Sequence, residues 1–274
     1  MIVVPAENFP FCTIDPNLAQ INIPDKRFTD LCTRYNPKNK VPATLSITDI
    51  AGLVKGASEG RGLGNAFLSH ISGVDGIFHV IRAFEDDEIV HDEGDIDPVR
   101  DLNIIHSELA LKDIQQIDKR MADLDKTIER NNKKADKEEK EVLEKAKGLL
   151  ENELWVKDQE WTGKEIEFLN KHYFLTAKPV VYLINISEEE YQTKKNKFLV
   201  KIQEWIATHG GGPMIPFSAA YEFSLVAQGA IDEESRATIA EQNGAPSAIN
   251  KIIKAGYKAL RLGHFFTVGE DEVR

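Results

Sequence analysis

Cysteine is scarce in this chain: Cys12 and Cys32 are the two that its 274 residues contain. So spaced, they make neither a zinc-ligand pattern nor a disulfide framework, which fits a reducing compartment and leaves both as half-buried thiols. Positive charge is also short. Thirty-four Lys and Arg face 45 Asp and Glu, for a formal net charge of −11, and this balance argues against broad wrapping of nucleic acid and against sequence-specific DNA binding. It leaves room for a large partner met through one surface. No run approaches the roughly 20 apolar residues needed to cross a bilayer. The opening MIVVP stops at Pro5, too soon for the apolar core of a secretory leader. No membrane contact is expected, and the expected location is cytoplasmic. What is present is an ordinary globular balance, 42% hydrophobic and 29% charged, enough for one large domain or a domain with a smaller companion.

Four short apolar runs punctuate the chain: residues 44–49 ending at Asp49, 76–83 (GIFHVIRA), 179–186 (PVVYLINI) and 214–218 (MIPFS). Continuous apolar strands separated by helical patterns mark an α/β fold, a mostly parallel sheet covered by helices. Ligands in such sheets sit beyond the carboxyl ends of the strands, which directs attention to the loops after Asp49, Asn185 and Ser218.

A different pattern separates the second and third runs. Ile114, Ile117, Met121, Leu124 and Ile128 recur at spacings of three and four, a narrow seam on one helix face. A charged stretch from Glu129 to Glu141 follows, then Val142, Leu143, Ala146, Leu149 and Leu150 at helical spacing. This predicts an inserted antiparallel helical hairpin with a solvated, charged tip. Ile249, Ile252, Ile253, Gly256 and Leu260 fit one further helix, and the final FFTVGEDEVR reads as a new strand and turn. The expected division is 1–100 and 173–262 for the two parts of the α/β domain, 101–172 for the hairpin, and 263–274 for the start of another module.

The loops carry the chemistry. Asp49-Ile50-Ala51-Gly52 leaves a strand directly. A strand-end Asp can hold Mg²⁺ through water, and a glycine three residues on lets a backbone N–H approach a γ-phosphate. A DxxG alone is weak, but this one opens into LVKGASEGRGLGNAFLSHI, with Gly56, Gly60, Gly62 and Gly64 close together. A loop of that composition can be ordered by a ligand and released afterwards. Asn185-Ile186-Ser187-Glu188 ends the most apolar strand where base-reading NKxD motifs lie. Ile186 replaces the Lys and Glu188 the Asp, which weakens guanine selection and leaves Asn185 and the backbone at Ile186 to meet adenine. Taken alone, an Asn there reads as a cap. Ser218 and Ala219, with Ala220, end the fourth strand with side chains small enough for a base to lie against the backbone. Thr13, in NFPFCTIDPN, sits in a loop before the DxxG strand, where a hydroxyl can meet Mg²⁺ or merely shape a turn.

Taken in order, NFPFCTIDPN, DIAGLVKGASEGRGLGNAFLSHI, NISE and FSAA resemble the Obg-like ATPases, the YchF branch of the Obg-related P-loop NTPases. The DIAGLVKGAS block is specific to that wider group, and NISE points to its ATP-preferring branch. The resemblance implies a hydrolase that binds ATP, and GTP more weakly, with Mg²⁺ as cofactor, K⁺ as a candidate second cation and the ribosome as a candidate partner. It implies Thr13 and Asp49 at the metal and Gly52 at the γ-phosphate. It places Asn185, Ile186, Glu188, Ser218 and Ala219 at the base. It also identifies FFTVGEDEVR as the start of a small β-rich TGS domain. Leu53 stands where most relatives of this architecture carry a water-orienting Gln. His91, within EDDEIVHDEGD shortly after the second strand, is the candidate for that role.

The sequence departs from the family at one place. No GxxxxGK(S/T) occurs in it, so the loop whose backbone N–H groups, Lys and hydroxyl hold the phosphates is not found, nor is the strand that would precede it at the centre of the sheet. Two expectations follow. The chain as written is inactive or very weak, either as an incomplete version of an ATPase or as an interaction module that docks a partner without hydrolysis. Strands flanking the vacant central position keep unpaired edges.

Overall fold

A computed structural model of the protein describes residues 17–50, 56, 71–86, 88–89, 91, 93–230 and 232–274. Thr13, Gly52, Leu53, Gly60, Gly62 and Gly64 lie outside these residues.

The parallel sheet is built from β4 (Ile77–Arg82), β5 (Val180–Asn185) and β6 (Met214–Phe217). β5 is central, pairing in parallel with β4 from Ile77↔Val180 to Arg82↔Asn185, and with β6 from Tyr182↔Met214 to Asn185↔Phe217. Its residues 180–184 are all buried, as expected for an apolar strand covered on both faces.

The strand at 44–49 belongs to a separate ladder, which corrects the expectation that a single sheet carries both the Asp49 and the Asn185 turns. This strand, β3 (Thr44–Asp49), pairs antiparallel with β1 (Asn17–Asn22) from Asn17↔Asp49 to Asn22↔Thr44. Among the described residues no ladder joins β3 to β4, so each keeps one unbonded edge, and Val80 of β4 is 58% exposed.

Packing links what hydrogen bonds do not. Helix α1 (Lys26–Tyr35) and the two-residue β2 (Asn39–Lys40) lie between β1 and β3 in sequence. A late helix, Ile249–Ala259, packs against both β3 and β5. Its Gly256 sits where a Cβ would fall 3.2 Å from Leu45 of β3 and closer still to Phe78 of β4. Phe78 accordingly packs against two apolar clusters, one with Ile23, Leu45 and Ile253, the other with Val181, Leu183 and Ile252. Ile50, next after Asp49, packs onto the cluster that contains Ile81, Ile184 and Ile186.

The hairpin consists of α2 (Pro98–Asn131) and α3 (Lys134–Glu151). Asp97 caps α2 by accepting from the N–H groups of Val99 and Arg100, and Pro98 takes the first turn, where its missing N–H costs nothing. Asn132 ends the helix at φ 46°, a left-handed cap. Asp118–Lys147, Arg120–Glu139 and Asp125–Lys140 pair across the two helices, fixing them antiparallel. The predicted seam forms a core of its own, with Ile117 and Leu143 fully buried and Ile114, Met121 and Ile128 around them. The charged stretch is not uniformly solvated. Glu139 is 5% exposed and accepts from Arg120 Nε at 2.7 Å, so the open tip narrows to the turn around Asn132.

Beyond the hairpin come α4 (Gly163–Leu169), α5 (Glu188–Thr193), α6 (Leu199–Thr208), α7 (Ala219–Ala227), α8 (Glu233–Gln242) and α9 (Ile249–Ala259). The chain ends with β7 (Glu272–Val273), parallel to β2 and bridged to Val268. No helix among the described residues is long and apolar enough to cross a membrane.

Candidate functional site

Beyond the carboxyl ends of β5 and β6, two predicted motifs form one unit. Asn185 Oδ1 accepts from the backbone N–H of Ala219 at 3.0 Å. Ile186 extends the ladder by one bond, its N–H donating to Phe217 O at 2.9 Å, and its side chain is 3% exposed. Ser187 and Glu190 then close a capping box that starts α5. Ser218, fully buried, caps α7 by accepting from Tyr221 N. Glu188 opens α5 with Glu189 and Glu190 behind it, and it accepts from Gln192 Nε2 at 3.3 Å. Three carboxylates on one turn repel phosphate and favour a ligand edge rich in N–H donors.

The rim is braced from behind. Tyr191 donates to Pro246 O and Tyr221 to Ala245 O. Glu222, 8% exposed, accepts from Ala248 N and Ser247 Oγ at 2.6 and 2.7 Å, tying α7 to the start of α9.

On the other ladder, Asp49 ends β3 and is exposed. Among the described residues no group of three or more His, Cys, Asp or Glu could hold a metal ion. Mg²⁺ in a nucleotide site takes one or two carboxylates and completes its shell with phosphate oxygens and water, so a single exposed strand-end carboxylate fits that role. Thr13 and Gly52, its expected companions, lie outside the described residues. Gly56 does not. It takes φ +84°, and its N–H donates to Glu108 Oε1 of α2 at 2.6 Å.

His91 follows β4 but is held at both ring nitrogens. Nε2 lies 2.9 Å from Asp101 Oδ2, and Nδ1 accepts from Glu93 N. The second contact makes Nε2 the protonated nitrogen of the neutral ring. Arg82 shapes the preceding loop, its guanidinium donating to the carbonyls of Phe84, Asp86 and Ile89. For His91 to orient a water, it must first leave Asp101.

Sequence reasoning missed the polar residues on the buried face of α2. His106 and Glu108 are each 6% exposed and Asp113 is fully buried. His106 stacks on Trp155 with ring centroids 4.6 Å apart, and burial pushes its pKa down to about 4. Asp113 accepts from Leu175 N, Thr176 N and Thr176 Oγ1. The available signal was their placement among Leu102, Leu109 and Ile117, on a stripe where apolar residues are expected.

Comparisons with known proteins identify relatives of the whole chain. A family profile described as "50S ribosome-binding GTPase" matches residues 3–145. Obg-like ATPase 1 of Caenorhabditis elegans is 53% identical over 270 residues, covering 98% of this chain and 68% of that protein. The human protein of the same name is 52% identical over 278 residues, with the same coverage. Among solved structures, the YchF GTPase of Schizosaccharomyces pombe superposes with a TM-score of 0.83 at 46% identity, covering 97% of this chain and 71% of that one.

Proposed function

The chain belongs to the Obg-like ATPase (YchF) family, and from that premise we propose that its β5–β6 rim reads the base of a nucleoside triphosphate, ATP in preference to GTP, for hydrolysis in the presence of Mg²⁺. The observation that carries this reading is the Asn185–Ala219 hydrogen bond, which makes the NISE and FSAA segments a single preorganised surface. Ile186 provides no Lys to cover the base, and Glu188 sets its carboxylate one methylene beyond the reach of the Asp that pairs with guanine. Asp49 and Thr13 take the metal, and Gly52 the γ-phosphate. His91 takes the water-orienting role that Leu53 cannot perform. Potassium has no such support among the described residues.

In this reading residues 1–100 and 173–262 form the nucleotide-binding domain of a cytoplasmic protein, 101–172 the hairpin, and 263–274 the start of a TGS module. The hairpin is the arm that meets a ribosomal partner. The alternative is docking without hydrolysis. A hairpin with its own core and cross-helix ion pairs would serve that equally well.

Titration of fluorescent ATP and GTP analogues separates the two. It is done on the chain as written and on a version preceded by a strand and a GxxxxGK(S/T) loop. Mg²⁺-dependent binding that favours ATP supports the enzyme. No binding by either protein removes the nucleotide reading and leaves docking.

A further inference from the structure

Helix α5 is six residues long. A helix of that length does not hold itself in water, so the place of Glu188 at its first position is set by whatever ties the turn down. Two ties are the capping box between Ser187 and Glu190 and the Tyr191 hydroxyl on Pro246 O. A further one comes from Asn196, just beyond Lys194, where the helix ends at φ 58° in the left-handed region.

The Asn196 side chain bonds three groups. Its Nδ2 donates to Ala83 O at 2.7 Å and to Glu190 Oε1 at 2.9 Å, and its Oδ1 accepts from Phe198 N at 2.9 Å. With the amide turned over, a carbonyl oxygen would face two acceptors, so one orientation alone satisfies all of them. Ala83 follows β4 directly, is fully buried and donates its own N–H to Asn185 O at 2.8 Å. The second oxygen of Glu190, Oε2, accepts from Ser187 N at 3.1 Å and Ser187 Oγ at 2.9 Å. A relay of polar groups thus runs from the end of β4 through Asn196 and Glu190 to Ser187, the residue before Glu188. Its central bond ends on a carboxylate, the stronger kind. A residue that served only to start α6 would need the Phe198 bond alone, whereas the two donated bonds reach the end of β4 and the first turn of α5.

We infer that Asn196 is a positioning residue for base selection: through Glu190 it holds the Ser187–Glu188 turn against the end of β4, and so keeps the Glu188 carboxylate where it does not match guanine. The consequence for nucleotide rests on the function proposed above. The tie between Asn196 and the turn does not. With the tie cut, the turn is free to shift, and the longer carboxylate can draw back to the distance at which it meets the ring N–H and amino group of guanine. GTP then gains on ATP.

Two variants test this. Asn196→Asp keeps the acceptor for Phe198 N and removes both donors, so a residue that merely starts α6 tolerates it. Asn196→Asp combined with Glu190→Gln exchanges donor and acceptor across the same bond, and a glutamine still completes the capping box with Ser187, so the pair restores the tie. The first readout is amide hydrogen exchange at Ser187, measured by NMR on the chain as written. It is expected to rise by about tenfold in Asn196→Asp and to return to within a few-fold of wild type in the double variant. The second is the ratio of GTP to ATP affinity, measured by competition against a fluorescent analogue on the version with the phosphate-binding loop. It is expected to rise roughly three- to tenfold in Asn196→Asp and to fall back in the double variant. Wild-type exchange in Asn196→Asp overturns the tie, and a wild-type ratio overturns the role in selection. If Asn196→Asp does not fold, the double variant decides: a folded protein with Ser187 protected and the wild-type ratio supports the proposal, and a second failure to fold overturns it. The wild type tells the two readings apart. If it binds no nucleotide, the base reading ends, and Ser187 exchange alone upholds or overturns the tie. If it favours ATP with a ratio indifferent to Asn196→Asp, the base reading stands and the role of Asn196 in selection ends.

Discussion

Asn185 at the end of β5 accepts a hydrogen bond from the backbone of Ala219 at the start of α7, so one side chain joins two motifs 34 residues apart. The bond uses the amide oxygen and leaves the amide NH₂ for a ligand. Asn185→Ala removes both and should cost about 1–2 kcal/mol of stability, as for other lost caps, together with nucleotide affinity. Asn185→Asp keeps an acceptor, favoured beside the N-terminus of α7, and removes the donors. Its urea midpoint should stay near wild type while nucleotide affinity falls. Wild-type binding by Asn185→Asp would reduce Asn185 to a cap.

Glu188 opens α5 with its carboxylate engaged only by Gln192 among the contacts described. Shortening it to Asp restores the side-chain length that pairs with the ring N–H and amino group of guanine. Glu188→Asp should therefore raise GTP affinity relative to ATP, by roughly three- to tenfold for one better-made polar contact. Competition titrations on the version carrying a phosphate-binding loop measure the ratio, and an unchanged ratio means that Glu188 does not face the base.

His91 bonds Asp101 through Nε2 and Glu93 through Nδ1, so its proposed work on water requires release. His91→Ala should lower turnover in the version with the phosphate-binding loop and leave nucleotide affinity intact. Asp101→Asn weakens the tether without touching the imidazole and should leave turnover equal or higher. Unchanged turnover in His91→Ala removes the histidine from the mechanism.

Periodicity made much of this fold legible. The Ile114–Ile128 seam became the core of a hairpin, and three of the four apolar runs became adjacent parallel strands. β1 escaped notice because Leu18 is 60% exposed and the strand shows no alternation of apolar and polar residues. In the candidate site, the motifs at Asn185 and Ser218 were visible as strand ends, but the hydrogen bond that unites them joins residues far apart in sequence. Glu108 and Asp113 were hidden for the same reason. A carboxylate on a helix reads as solvated until its partners, 52 and 62 residues away, are seen. The separation of the β1–β3 ladder from the parallel sheet was only partly foreseen, because the unpaired edges were expected but the independence of β1–β3 was not.

Gly256 lets α9 lie against both ladders. A Cβ there would meet the tip of the Phe78 ring well inside contact distance and Leu45 at 3.2 Å. Replacing Gly by Ala inside a helix gains up to about 1 kcal/mol in propensity, whereas overpacking costs about 1–3 kcal/mol. Phe78 is partly buried and the clash is with its far end, so some of the strain can relax. Gly256→Ala should lower stability by about 1 kcal/mol, and Gly256→Leu by clearly more. Denaturation by urea measures both, and a stabilised Gly256→Leu would show that α9 does not bridge β3 and β4 this closely.

Asp113 makes stability depend on pH in an unusual direction. It is fully buried, and burial pushes its pKa from 3.8 up to about 6 against the opposing hydrogen bonds from Thr176 and Leu175. Between pH 4 and pH 6 the folded chain thus retains a proton that the unfolded chain has released. Stability from this residue is fully present below about pH 4 and is lost as pH rises through about 6. The shift corresponds to an upper bound of about 3 kcal/mol. Other carboxylates titrate in the same range, so the informative quantity is the difference between wild type and Asp113→Asn. Asn cannot ionise, and it also surrenders one of the acceptors used by Thr176, so the variant starts from a lower stability at acid pH. Urea midpoints taken from pH 4 to pH 7 should show the wild type losing its advantage over Asp113→Asn as pH rises. A difference that stays flat would place the titration of Asp113 outside this window and assign its role to hydrogen bonding alone.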